Sequence, residues 1–114
     1  MAASSDLLQG TLDLLVLRIL SSGPLHGWAI SQQIKEESRQ LLQVNQGSLY
    51  PALHRLEGDG LLVAKWGMSE TVRRVRFYSL TRAGRARLAR ETRNWREYTS
   101  AVDRILGSHR REPA

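Results

Sequence analysis

The segment Asn45–Leu61, NQGSLYPALHRLEGDGL, restricts the fold more than any other, because a proline and two glycines limit where a helix can start and stop. Read as a helix, it aligns Leu49, Ala52, Leu53 and Leu56 on one stripe at the spacing of a core-facing surface. The opposite side holds Gly47, Tyr50, Pro51, His54 and Arg55: small at its head, then aromatic, then basic. A face that merely meets solvent is more often filled with Glu and Lys. Proline deep in a helix loses a backbone bond and clashes with the preceding turn. Ser48 as N-cap would put Pro51 in the first turn, where the amides are unpaired anyway, and is the preferred start. Asn45 is the competing cap and would leave Pro51 about one turn in. Gly58 and Gly60 close the segment and turn the chain directly into an apolar run. An ordinary amphipathic helix ending in glycine is the plainer alternative to a helix that presents its head to a ligand.

The flanks narrow the choice. Between Leu7 and Leu20 the apolar residues Leu7, Leu8, Leu12, Leu14, Leu15, Val16, Leu17, Ile19 and Leu20 cover more than one helical stripe. Such a helix needs burial on two sides, and in a chain of 114 residues the simplest second side is another protomer. Ser21–Pro24 stops it. A second helix runs from about Leu25–Gly27 to Glu37 with Ile30 and Ile34 inward, and Leu41, Leu42 and Val44 lie in the connection that follows. Leu61–Trp66 and Val72–Leu80 read as two strands around a turn at 67–71. In the second strand Arg74, Arg76 and Tyr78 share one face and Arg73, Val75, Phe77 and Ser79 the other. Val75 and Phe77 are expected to pack inward, leaving Arg74 and Arg76 outside as a basic ribbon. An edge strand also uses positive charge to resist aggregation. Thr81–Leu106 is a last helix of about 39 Å. In it Leu88, Trp95 and Val102 recur every seven residues, with Tyr98 and Ile105 as a second row, a seam fit for a partner helix. The fold class expected is mainly α with a small β-hairpin. It comprises a winged helix-turn-helix over residues 1–80 and a C-terminal dimerisation helix and tail over 81–114, as one structural unit.

Charge points to a polyanion. Lys and Arg number 17 against 11 Asp and Glu, a formal charge of +6. With no cysteine, disulfides, thiolate metal sites and cysteine nucleophiles are excluded. His26, His54 and His109 are far apart, with no carboxylate at metal-ligand spacing, and neither a phosphate loop nor a nucleophile elbow is present. No enzyme, metal or cofactor is implied. The N-terminus lacks the basic start and apolar core of a signal peptide, and the longest apolar run, Leu14–Leu17, is far too short to span a bilayer. A cytoplasmic protein without a membrane partner is expected. Trp28, Trp66 and Trp95 are by default core or interface residues. Trp95 is singled out because a seam tryptophan near a two-fold axis can pack on its mate or open to hold a flat ligand.

Several blocks together resemble a short-type PadR-family transcriptional regulator. They are Gln9-Gly10-Thr11-Leu12 with its leucine-rich helix, Gly23-Pro24-Leu25-His26-Gly27, GSLYPALHRLEGDGL from Gly47 to Leu61, and Phe77-Tyr78-Ser79-Leu80-Thr81 with Ala83-Gly84. The likeness runs from Leu8 to Leu106, and the wording is similar to a subgroup often found beside transporter permease genes. It implies a winged-helix homodimer on double-stranded DNA, mostly repressing inverted-repeat operators and often released by small aromatic compounds. Carried over by position, Gln46, Gly47, Ser48, Tyr50, Pro51, His54 and Arg55 lie on the recognition helix, and Arg73, Arg74 and Arg76 form the basic wing. The first and last helices would form the dimer through Leu8, Leu12, Leu15, Ile19, Leu88, Trp95, Tyr98, Val102 and Ile105, with Trp95 also the candidate ligand-stacking residue. The chain departs from the pattern at Val75, within a wing that is often uniformly basic, and has only Tyr98 as a second aromatic near Trp95. A winged-helix module for protein–protein contact, without specific DNA binding, is the alternative.

Overall fold

A computed structural model describes residues 9–109. Helix α1 (Gln9–Ile19) runs into a single 3₁₀ turn at Leu20–Ser22. Strand β1 (Leu25–His26), helices α2 (Gly27–Glu37) and α3 (Gln46–Gly58), strands β2 (Leu62–Met68) and β3 (Arg74–Leu80) and helix α4 (Arg82–His109) follow. The expected hairpin gains a third strand, because β1 pairs antiparallel with β3 to give the order β1-β3-β2. Two residues squeezed between Pro24 and a helix show no alternation, so β1 reads in the sequence only as an entry turn. No helix among the described residues is long and apolar enough to cross a membrane.

One core joins the three short helices to the sheet. Leu12, Val16, Leu17 and Leu20 meet Ile30 and Ile34 of α2, Leu49, Ala52, Leu53 and Leu56 of α3, and Leu61, Leu62, Tyr78 and Leu80 from the sheet side. This corrects the reading of α1. Leu12 and Ile19, expected at a dimer interface, are buried within their own protomer, and Leu15 and Leu88 are partly buried against the same core. Helices α2, α3 and α4 all pack on α1, and β3 meets the 3₁₀ turn that follows it, so its apolar residues are largely used without a partner chain. Leu8 lies outside the described residues.

The start of α3 also differs from the preferred expectation. Asn45, not Ser48, is the N-cap: its side-chain oxygen accepts the Ser48 N–H at 2.8 Å. Pro51 therefore lies inside the helix. The Gly47 carbonyl, four residues earlier, loses its usual donor, but both residues are exposed and water can serve it. The earlier start is locked by Gln46, whose amide donates to Ser31 Oγ at 3.1 Å while that hydroxyl donates to the Trp28 carbonyl at 2.8 Å. At the other end Gly60, with φ of 78°, takes the left-handed conformation that releases the helix.

The hairpin faces are the reverse of those expected. Directly paired residues share a face, so Leu62 and Leu80, Ala64 and Tyr78, Trp66 and Arg76, and Met68 and Arg74 lie together. Leu62, Tyr78 and Leu80 on that face are buried against the helices. Arg74 and Arg76 thus stand on the inner face, where the hairpin runs past the helical layer. Val75 and Phe77 occupy the other face, half-buried. Phe77 sits edge-on to His26 with centroids 5.5 Å apart, and covers Gly67 so closely that a Cβ there would come within 2.8 Å of its ring. Strand ends hold this arrangement. Thr81 donates its N–H to the Leu61 carbonyl and its hydroxyl to the Gly60 carbonyl, and accepts the Gly84 N–H as cap of α4.

Candidate nucleic-acid interface

The recognition-helix residues named from the sequence fall into three groups. Gly47, Ser48, Tyr50, Pro51 and His54 are exposed along one side of α3. Gln46 is half-buried and spends its amide hydrogen on Ser31. Arg55 is drawn toward α1, where it pairs with Asp13. Tyr50 does more than face outward. Its ring lies against Gly27 at the start of α2, where an added Cβ would meet the phenol oxygen at 2.6 Å. The missing side chain at Gly27 is what lets α2 and α3 close on that ring.

Between the head of α3, the start of α2 and the hairpin opens a cleft of about 560 Å³, bordered by His26, Trp28, Gln46, Tyr50, Arg73 and Arg74. The hairpin thus delivers two arginines, Arg73 from its turn and Arg74 from β3, opposite the exposed head of α3. Arg74 is stacked on Trp66, its guanidinium carbon 4.4 Å from the ring centroid. Arg76 is committed elsewhere: it donates to Glu57 Oε2 at 2.8 Å and lies 5.7 Å from the Tyr78 ring centroid. Burial pushes the Tyr78 phenol above its ordinary pKa, and the neighbouring Arg76 works against that rise. Two residues were missed as candidates, one bordering this cleft and one in the adjoining groove that Tyr50, Arg74 and Arg76 also line. Trp28 is 60% exposed and Trp66 57% exposed, although tryptophan is buried by default. Their sequence signal was only indirect: each stands beside a glycine at the edge of a regular element.

The second half of α4 stands away from the core. Trp95, Tyr98, Val102 and Ile105 are exposed, and Leu106 adds to them. Trp95 and Tyr98 lie with ring centroids 6.3 Å apart at a 40° tilt, so Tyr98 is the neighbouring aromatic that the seam pattern offered. They border a shallow depression of about 300 Å³ between α1 and α4, with Leu14 and Glu91 also lining it.

The sequence pattern that defines the PadR-like family of transcriptional regulators matches residues 16–90, which span α2, α3, the hairpin and the start of α4. The chain belongs to this family. Transcriptional regulator Rv3488 of Mycobacterium tuberculosis is 38% identical over 87 residues, covering 76% of this chain and 78% of that protein. The negative transcriptional regulator PadR of Bacillus subtilis is 29% identical over 73 residues, 64% of this chain and 40% of that protein. A transcriptional regulator from Clostridium thermocellum superposes with a TM-score of 0.80 at 26% identity, over 90% of this chain and 99% of that one. The PadR-like chain is accordingly a regulator of transcription and not an enzyme, built as a winged helix-turn-helix with a long C-terminal helix.

Proposed function

We propose that this PadR-like chain is a dimeric repressor that reads an inverted-repeat DNA site with two copies of the α3–hairpin face. The observation that carries the reading is the cleft, in which the exposed head of α3 and the arginines of the hairpin border one opening. A major groove admits an α-helix, and guanidinium groups beside it suit phosphates or a minor groove. Gly47, Ser48, Tyr50, Pro51 and His54 are assigned to the groove, and Arg73 and Arg74 to the wing contact. Gln46 supports the head of the helix and adds its carbonyl oxygen. Arg55 and Arg76 already hold carboxylates, so their contribution to DNA is smaller than their charge suggests. Residues 1–80 act as the DNA-reading part and 81–114 as the dimerising part of one unit. Dimerisation rests on the exposed stripe Trp95, Tyr98, Val102 and Ile105, which is too apolar for a helix that ends in solvent. Repression follows the negative regulator that this chain resembles.

The test is fluorescence anisotropy on duplex DNA from immediately upstream of its own gene, with a scrambled duplex as competitor, at several salt concentrations. Tight binding that the competitor does not relieve, weakening steeply with salt, is the expected result. Equal binding to both duplexes would leave only a charged surface, and no binding would favour a protein–protein module.

A second reading concerns release. The Trp95–Tyr98 pair and Glu91 border one depression, which suits a flat aromatic cation. Such a ligand would shift the equilibrium only by binding one dimer arrangement better than another. Titration of a planar cationic dye should quench tryptophan emission and release DNA in the wild type, and do neither in Trp95→Ala.

A further inference from the structure

Beyond its buried leucines, the inner face of the hairpin interleaves two aromatic rings with two arginines: Tyr78, Arg76, Trp66 and Arg74. Arg76 is held from two sides, by the Glu57 carboxylate at 2.8 Å and by the Tyr78 ring at 5.7 Å. Trp66 is paired with Arg76 across the β2–β3 ladder, and the Arg76 guanidinium lies 6.0 Å from its ring centroid. Arg74, one ladder step toward the turn, reaches diagonally back over the same indole at 4.4 Å. Among the described residues no carboxylate pairs with Arg74. The ladder is therefore anchored at its α3 end and unneutralised at its outer end.

Trp66 has no role in the core. More than half of its surface is exposed, as is that of Met68 beside it on the same face. An indole left in water on a wing needs another account, and the guanidinium above it supplies one. A free arginine side chain samples many rotamers, whereas one stacked on a ring has its planar fork held in place before a phosphate or base edge arrives.

We propose that Trp66 is a positioning residue for DNA binding. On this view it fixes the guanidinium of Arg74 in the cleft opposite Tyr50, and the Glu57–Arg76 pair in turn fixes the indole. The inference rests on the DNA-binding reading above and adds to it a residue that bears no charge and makes its contribution through another.

The test is a double-mutant cycle read by anisotropy on the upstream duplex, using the full chain. Trp66→Leu should weaken binding about two- to fivefold without changing the number of charges, the range a stacked cation at an exposed site supports. Arg74→Ala should weaken it more, and adding Trp66→Leu to Arg74→Ala should cause no further loss. Trp66→Tyr, which keeps an aromatic face, should restore most of the affinity, and melting temperatures should show all variants folded. Wild-type binding by Trp66→Leu, multiplicative losses in the double variant, or no rescue by tyrosine would each overturn the positioning role and leave the DNA reading intact. A wild-type chain that binds no duplex at all would overturn both.

Discussion

Ile105 gives the sharpest test of the dimer, because it stands clear of its own protomer's core with 61% of its surface exposed. Replacing it by alanine should leave the winged helix intact and weaken only the association. Fully burying an isoleucine contributes about 1.5–3 kcal/mol, and roughly three-fifths of that, about 0.9–1.8 kcal/mol, is left for a partner to supply. A two-fold interface counts the loss twice, giving about 1.8–3.6 kcal/mol per dimer, or roughly a 20- to 400-fold rise in dissociation constant. Sedimentation equilibrium over a concentration series reads this directly, with Ser100→Ala, also exposed on α4, as control. Helicity should fall on dilution in step with dissociation, since the overhanging part of α4 is about as long as the shortest helices that hold in water unaided. A dissociation constant within twofold of wild type, or an equal loss in the control, would refute an interface along this stripe. So would a wild-type chain that is monomeric at micromolar concentration.

Gly27→Ala should fold with a melting temperature close to wild type, because the intruding Cβ meets only the movable end of Tyr50. It should nevertheless weaken specific DNA binding about tenfold by displacing that ring from the α3 face, as measured by anisotropy against a scrambled duplex. Gly84→Ala should behave in the opposite way, since its Cβ would press on the Leu61 backbone carbonyl, which no side-chain rotation can relieve. A loss of about 3 kcal/mol in urea unfolding is expected, with DNA affinity unchanged for the fraction that remains folded.

Where local chemistry alone decided the outcome, the sequence was sufficient. The α3 stripe Leu49, Ala52, Leu53 and Leu56 is buried as its spacing requires, and Gly60 releases the helix in a left-handed turn. Choices that depended on a distant partner were not legible. Ser48 and Asn45 are both good caps, and the decision came from a Gln46–Ser31 bond that spans two helices. The hairpin faces were misread because Val75 and Phe77 look more apolar than Arg74, Arg76 and Tyr78. The parity of Leu62 and Leu80 held the answer, because both lie on the Tyr78 face and their burial fixes which side the core is on. The ion pairs of Arg55 and Arg76 were equally illegible: nothing in the chain order announces that Asp13 and Glu57 will face them. The missing side chains of Gly27 and Gly84 serve contacts with Tyr50 and Leu61 that only the folded arrangement reveals.

The same contacts explain how a dimer seam on α4 could govern a face formed by α3. The chain leaves α3 at Gly60 and returns from the hairpin at Thr81, and these two points are fastened together. Thr81 bonds the carbonyls of both Gly60 and Leu61, and Gly84 lets the first turn of α4 press against the Leu61 backbone. Asp13 and Arg55 tie α1 to α3 on the far side. With both flanks fixed, α4 has little freedom to pivot on its own, and a change in the crossing of two α4 helices must carry each α3 with it. In the proposed dimer the two copies of α3 must meet half-sites about 34 Å apart, one turn of DNA. In that arrangement a displacement at the seam would be felt at both grooves at once, and rigidity at the α3–α4 junction would let a contact near Trp95 matter to Tyr50.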